Sequence, residues 1–415
     1  MKILFICDLN SVHSQKWISY FIGKGHSVHI YTTTPFAAEF KGAPVYGRRA
    51  GVSTQGSAGQ PSLLSSVYKS STAQAMAGVA ERLFVSRKTF IIRRQTFDHV
   101  KEVSKILPVV QPDVIHSLRI PNEGFTGALL PTRAPLVIST WGNDLTFWAK
   151  KPVLRELTEM TLKKAAFLFS DCERDVALCR RYGYPEAKPH LVLPGSGGMF
   201  REDIDRGKAS LKWRSDFFRE NYGIYTRPIL LSLRGFGSQD IDNVPLLRAC
   251  RILFDEGVTF TLVIAGKKDG FRYYKLHRLV NALKISDNVR LVDALSHDRA
   301  LEALQGADLS ISVSRNDGTP NSMLEAMTFG AVPLMSDIDS IKEWITDGVN
   351  GFLFDPRDPE SIAATTKKGL KEIAKRPEIS RRNLKTIQER AEYTGNMSRA
   401  EYVLNELVDR LRTTV

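Results

Sequence analysis

The sequence predicts an α/β protein of two doubly wound domains, each a parallel sheet covered by helices on both faces. Three observations lead there. The chain has 415 residues, too many for one hydrophobic core. Short, near-continuous apolar runs alternate with helical spacings, the pattern of strands buried on both faces. The alternation breaks once, from Leu193-Pro194-Gly195-Ser196-Gly197-Gly198 to Arg227, and then resumes. Domains are therefore expected at 1–200 and 201–395, followed by a last segment, 396–415.

The elements follow in order. Lys2–Cys7 reads as a strand, too short an apolar run for a signal peptide. Trp17, Ile18, Phe21 and Ile22 lie on one helical face, which Gly25 ends. Ser27–Thr32 returns as a strand. Gly47–Gln60 is rich in Gly, Ser and Ala without periodicity, so a loop is expected. Residues Ser65–Lys105 read as helical, mixing basic and apolar residues between Arg82 and Arg94. Strands follow at Asp113–His116, Leu136–Thr140 and Phe167–Ser170. Beyond the break come Ile229–Ser232, Phe260–Ala265, Val289–Val292, Leu309–Val313, Val332–Met335 and Phe352–Phe354. A final helix is expected over Ser398–Arg412. Two such domains in series are expected to face each other across a ligand-binding cleft.

Composition narrows the classes. With 43% hydrophobic and 25% charged residues the balance is that of a soluble globular protein. No apolar run reaches the ~18 residues of a membrane span. Cys7, Cys172, Cys179 and Cys250 show no metal spacing and read as buried thiols of a reducing cytoplasm. Residues 1–200 hold 25 Lys/Arg against 14 Asp/Glu, whereas the rest is nearly balanced. That excess suits an anionic acceptor or peripheral contact with an anionic inner-membrane surface. Nucleic acid is not expected, since no recognition motif accompanies the charge.

The densest chemistry lies near the C-terminal third. The run Ala307–Val313 reads as a buried strand, and Ser322–Phe329 as a helix capped by Ser322 or Asn321. Between them Asp317 and Glu325 bracket the Gly318-Thr319-Pro320 turn, eight residues apart. A strand, a tight turn and a helix N-terminus together present outward N–H groups to an anion.

This segment resembles the E-x7-E signature of the retaining GT-B glycosyltransferases of family 4, S-x-x-E-G-x-P-x-x-x-x-E-A-M-A-x-G-x-P-V. Ser314, Gly318, Pro320, Glu325, Ala326, Met327, Gly330 and Pro333 match, while Asp317 stands where the family has Glu. The resemblance implies a GT-B fold and a hexosyltransferase that moves sugar from a nucleotide-sugar donor to a glycan, lipid-linked or small-molecule acceptor. It implies Asp317 near the donor sugar, Glu325 on the ribose and the diphosphate on N–H groups around Asn321, Ser322 and Met323. Leu262-Val263-Ile264-Ala265-Gly266 and Val289–Leu295 resemble further family strands, which places Leu295 against the base. Val349-Asn350-Gly351-Phe352-Leu353 matches the family's x-N-G-x-L turn, and the last helix resembles one that packs back on the N-terminal domain.

Arg234 matches the family arginine that holds the diphosphate, where a fixed cation meets the charge of the leaving group. The usual lysine after it is replaced by Gln239 or Asp240, and Lys267 and Lys268 are the nearest substitutes along the fold. The family's T-x-H-G-x-D run is Ser139-Thr140-Trp141-Gly142-Asn143-Asp144 here, with Trp141 in place of histidine. Asp144 is then the candidate to hold a hydroxyl; the same residue could equally cap a helix beginning at Leu145. Asn10 and His13, in the loop where the family has Gly-Gly, and His116 complete the acceptor or phosphate side. No cofactor or metal is expected: Asp203-Ile204-Asp205 lies in the junction, and Asp337-Ile338-Asp339 stands where the family has no metal site. A non-catalytic nucleotide- or glycan-binding relative, a phosphorylase and a sugar-nucleotide epimerase are the alternatives.

Overall fold

The computed structural model describes residues 1–36, 39–47, 71–209, 216–268 and 270–413. The expected Gly47–Gln60 loop therefore lies outside the described residues beyond its first, as do the side chains of Arg82–Lys88.

Packing divides the chain into two units. The first comprises Met1–Ser170, Asp175–Val192 and Met397–Val415; the second comprises Asp171–Arg174 and Leu193–Asn396. In the first, β1 (Lys2–Cys7), β2 (Ser27–Thr32), β3 (Val45–Tyr46), β4 (Val114–Leu118), β5 (Leu136–Thr140), β6 (Phe167–Ser170) and β7 (His190–Val192) form one sheet. Its order is β3-β2-β1-β4-β5-β6-β7, and every pairing is parallel. In the second, β8 (Ile229–Ser232), β9 (Thr261–Gly266), β10 (Val289–Asp293), β11 (Leu309–Ser312), β12 (Val332–Ser336) and β13 (Phe352–Phe354) pair in the order β10-β9-β8-β11-β12-β13, again all parallel.

Alternation along the strands shows why these runs are apolar throughout. Ile229 and Leu231 of β8, with Val263 and Ala265 of β9, pack into one core. Leu230, Leu262 and Ile264 point the other way into a second. Both faces of the sheet are thus covered by helices, which period-2 patterning could not satisfy. In the first unit Leu4 and Ile6 face a core of mixed aliphatic and aromatic residues. On the other side Phe5 meets Phe21 and His116, and Trp17 meets Phe169.

The helix predicted around Trp17 runs over Val12–Gly23, and the long helical stretch over Ser71–Val110. The last helix, Tyr393–Thr413, contributes its greater part to the first unit. There Tyr20 Oη donates to Glu401 at 3.0 Å, His26 Nε2 lies 2.7 Å from Glu401 Oε1, and Arg412 Nη2 donates to Asp113 at 2.8 Å. The four cysteines are buried free thiols. Among the described residues no helix is long and apolar enough to cross a membrane.

Candidate functional site

In an open parallel sheet the strand order reverses at one point, and the loops leaving the strands diverge there to leave room for a ligand. In the second unit the reversal falls between β8 and β11. Arg234 leaves the end of β8 and Asp317 follows β11, so the topology sets them across this gap. They meet directly: Arg234 Nη2 donates to Asp317 Oδ2 at 2.6 Å. Asp317 also accepts from Ser314 Oγ at 3.2 Å and from the Gly318 amide at 3.1 Å. Burial raises the Asp317 pKa, and Arg234 and these hydrogen bonds pull against it. The positions that lack the family lysine border the same loop: Asn316 Nδ2 reaches Asp240 at 3.4 Å, and Arg315 pairs with Asp242 at 2.6 Å.

The helix after Asp317 covers Asn321–Phe329 and ends on Gly330 at φ +85°. Neither Ser322 nor Asn321 is its cap. Pro320 occupies that position, its ψ of 127° lying outside the helical range, and no side chain closes the end. The Met323 amide bonds the Pro320 carbonyl at 3.0 Å and its side chain is fully buried, so Met323 does not present a group outward. The amides of Asn321 and Ser322 open the helix and have no partner within it. Glu325 lies one turn further, 15% exposed, with His297 Nδ1 3.8 Å away. Leu295 packs on the edge of the nearby core. Lys267 and Lys268 are exposed just past β9, and Lys268 pairs with Asp293 at 3.3 Å.

Residues absent from the sequence reading hold the Asp317 loop. Arg174 Nη1 donates to the Asp317 carbonyl at 2.6 Å, and Ser340 Oγ donates to the same oxygen at 2.7 Å. The Thr319 amide reaches Asp171 Oδ2 at 3.3 Å, and Trp344 Nε1 donates to Thr319 Oγ1 at 3.1 Å. A Cβ on Gly318 would stand 1.9 Å from Asp171 Oδ2, so the motif glycine is required for space. The one signal available was position: Asp171 immediately follows strand Phe167–Ser170, at a carboxyl end.

The first unit gathers its polar groups at the reversal between β1 and β4. Asn10 donates to Thr34 Oγ1 and to the Pro35 carbonyl, folding the loop after β1 onto that after β2. His13 is exposed, and its ring centroid lies 5.5 Å from that of half-buried Trp141. Asp144 is 1% exposed and caps no helix. Its Oδ1 accepts from Arg119 Nε at 3.0 Å, and its Oδ2 from the amides of Ile120 at 3.1 Å and Trp141 at 3.3 Å. It therefore ties the loop after β4 to the loop after β5 and aims Arg119, whose side chain is 37% exposed. Glu123, 4% exposed, accepts from Thr33 Oγ1 at 2.7 Å, and burial pushes its carboxyl up to about 7. Arg119 and Glu123 belong to the segment Ser117–Gly124 that borders the strand end, but nothing in their spacing singled them out. His116 does not join this group. It is fully buried among Phe5, Trp17 and Phe169, with Nε2 2.9 Å from Ser139 Oγ, and burial lowers its pKa to about 3. It is a core residue, because its place on β4 points into the helix layer rather than off the strand end.

Two parallel-sheet, Rossmann-like units of this order make up the GT-B fold. Over 99% of this chain it superposes on all of sucrose-phosphate synthase from Thermosynechococcus elongatus, with a TM-score of 0.70 and 14% identity. Anabaena HepE in complex with UDP-glucose matches over 98% of this chain and 100% of its own, at 0.68 and 15%. Residues 217–386, within the second unit, match the family model of the glycosyl transferases group 1. A curated relative, the GDP-mannose:cellobiosyl-diphosphopolyprenol alpha-mannosyltransferase of Xanthomonas campestris, is 25% identical over 130 residues. That match covers 31% of this chain and 33% of the relative. The structural likenesses show the fold.

Proposed function

We propose that this protein is a retaining glycosyltransferase of family 4 that transfers a sugar from a nucleotide-sugar donor to a hydroxyl of a glycan, lipid-linked or small-molecule acceptor. The observation that carries this reading is the placement of Arg234 at the strand reversal of the unit that matches the glycosyl transferases group 1 model. Glu325 takes the ribose hydroxyls, the base lies along Leu295, and the diphosphate rests on Arg234 and the amides of Asn321 and Ser322. Lys267 adds charge from the neighbouring strand end. UDP- and GDP-sugars are the donors to test, since the structural neighbour HepE was solved with UDP-glucose and the curated mannosyltransferase is named for GDP-mannose. A lipid-linked acceptor fits the diphosphopolyprenol of the mannosyltransferase and the basic first 200 residues.

The chemistry is a front-face exchange at the anomeric carbon. The bond from that carbon to the leaving phosphate oxygen breaks, and the acceptor oxygen bonds to the same face. The acceptor proton passes to the departing phosphate, so retention needs no side-chain nucleophile. Arg234 meets the charge that grows on the diphosphate. In the first unit His13, Asn10, Trp141 and Arg119 receive the acceptor, with Asp144 as the residue that aims Arg119. The protein acts in the cytoplasm, peripheral to an anionic membrane surface.

The experiment measures nucleoside diphosphate release from UDP- and GDP-sugars, with and without glycan and lipid-phosphate acceptors. Release by the wild type, with turnover reduced more than donor affinity by Arg234→Ala, is expected. Donor binding without release across all acceptors would favour the non-catalytic relative, a reading that Trp141 in place of histidine also suits.

A further inference from the structure

In the second unit three cations near the Arg234 loop each have an acid in reach. Arg315 meets Asp242, Lys268 meets Asp293, and Arg234 meets Asp317. The last pair differs in how firmly the acid is held. Asp317 is fixed through its carboxylate by Ser314 and the Gly318 amide, and through its carbonyl by Arg174 and Ser340. It cannot swing away as an exposed side chain would. An aspartate is one methylene shorter than the glutamate of the matching pattern, so its oxygens stay close to the main chain and on the guanidinium. Arg234 keeps a buried Nε that has no hydrogen-bond partner. The charge of Arg234 is already matched by Asp317.

We infer that Asp317 is the resident counter-ion of Arg234: it positions the guanidinium when no diphosphate is bound and competes with the diphosphate for it, so that the spent nucleotide is released. This rests on the reading of Arg234 as the diphosphate cation. It makes Asp317 a positioning residue acting through Arg234 rather than a contact to the sugar.

Free UDP and GDP carry no sugar and therefore separate the two roles. Calorimetry of both nucleotides would be run on the full chain as wild type, Asp317→Asn, Asp317→Glu, Arg234→Ala and the Arg234→Ala/Asp317→Asn double variant. Asp317→Asn, which is isosteric, should bind the preferred nucleotide about fivefold more tightly, the upper range for a partly exposed pair. Asp317→Glu keeps the charge and should stay near the wild type. In the Arg234→Ala background the gain should shrink to less than about twofold, as coupled residues do not add. Unchanged or weaker binding by Asp317→Asn, or a gain that persists without Arg234, would overturn the inference. If neither nucleotide binds the wild type, or Arg234→Ala binds as well as it, the donor-site reading itself fails, and the inference fails with it.

Discussion

Gly318→Ala tests whether the motif glycine is there for space. The added Cβ would stand 1.9 Å from Asp171 Oδ2 and 2.4 Å from its Cγ, so the carboxylate must move. It cannot move freely, because Oδ2 also accepts from the Thr319 amide and the Asp171 carbonyl from Thr319 Oγ1. Overpacking of this kind costs about 1–3 kcal/mol. Losing the charged hydrogen bond to the Thr319 amide adds roughly 1 kcal/mol or more. A total of about 2–4 kcal/mol in a unit of this size lowers Tm by roughly 4–16 °C. Thermal melting followed by tryptophan fluorescence reads this directly, since Trp344 donates to Thr319 in the same cluster. Adding Asp171→Ala should then recover at least half of the lost Tm, although Asp171→Ala alone is destabilising. A Gly318→Ala protein melting within about 1 °C of the wild type would refute the steric argument, and an additive double variant would show that Asp171 is not the obstacle.

Glu325→Ala should weaken binding of free nucleoside diphosphate by roughly 1.5–3 kcal/mol, read by calorimetry, if its carboxylate accepts from ribose hydroxyls; unchanged affinity in a folded variant would remove it from the site. Two buried groups of the first unit should tilt its stability in opposite directions with pH. His116, held down to about 3, binds its proton only in the unfolded chain between about 3 and 6.5, so stability rises with pH there. Glu123, pushed up to about 7 from 4.5, holds its proton in the fold, and that contribution is lost as pH rises toward 7. Between about 4.5 and 6.5 the two oppose each other, and Glu123→Gln should expose the His116 slope of up to about 1.4 kcal/mol per pH unit in denaturant titrations; an unchanged pH profile would count against it. Flotation should show partial binding to vesicles with acidic lipid, lost at high salt and on changing Arg87, Lys88, Arg93 and Arg94 to Ser; equal behaviour with neutral vesicles would point to a soluble acceptor.

Eleven strands were readable, most of them because burial on both faces makes them continuous apolar runs; β10, an edge strand with exposed Arg290 and Asp293, is the exception. The two that escaped, β3 and β7, have two and three residues and no fully buried position, so no run exists to be read. They are the edges of the first sheet. In the site, Arg234, Asp317, Gly318 and Glu325 could be named because a short motif fixes them along the chain. Arg174, Asp171, Arg119 and Glu123 could not, since the partners named for them above lie 25 to 148 residues away. His116 misled for the complementary reason. Its position at a strand end is visible in the sequence, but the direction in which β4 points its side chain is not.

The segmented make-up of the first unit has a consequence for its birth. Its three segments enclose the greater part of the second unit, Leu193–Asn396, between Val192 and Met397. During synthesis the second unit is therefore whole while its predecessor still lacks the helix that Tyr20, His26 and Asp113 grip. The part begun first is finished last. Until Glu401 emerges, Tyr20 and His26 lack the carboxylate that joins them. A fragment ending at Val192 would leave the surface for that helix uncovered, whereas one spanning 193–396 would lack only Asp171–Arg174.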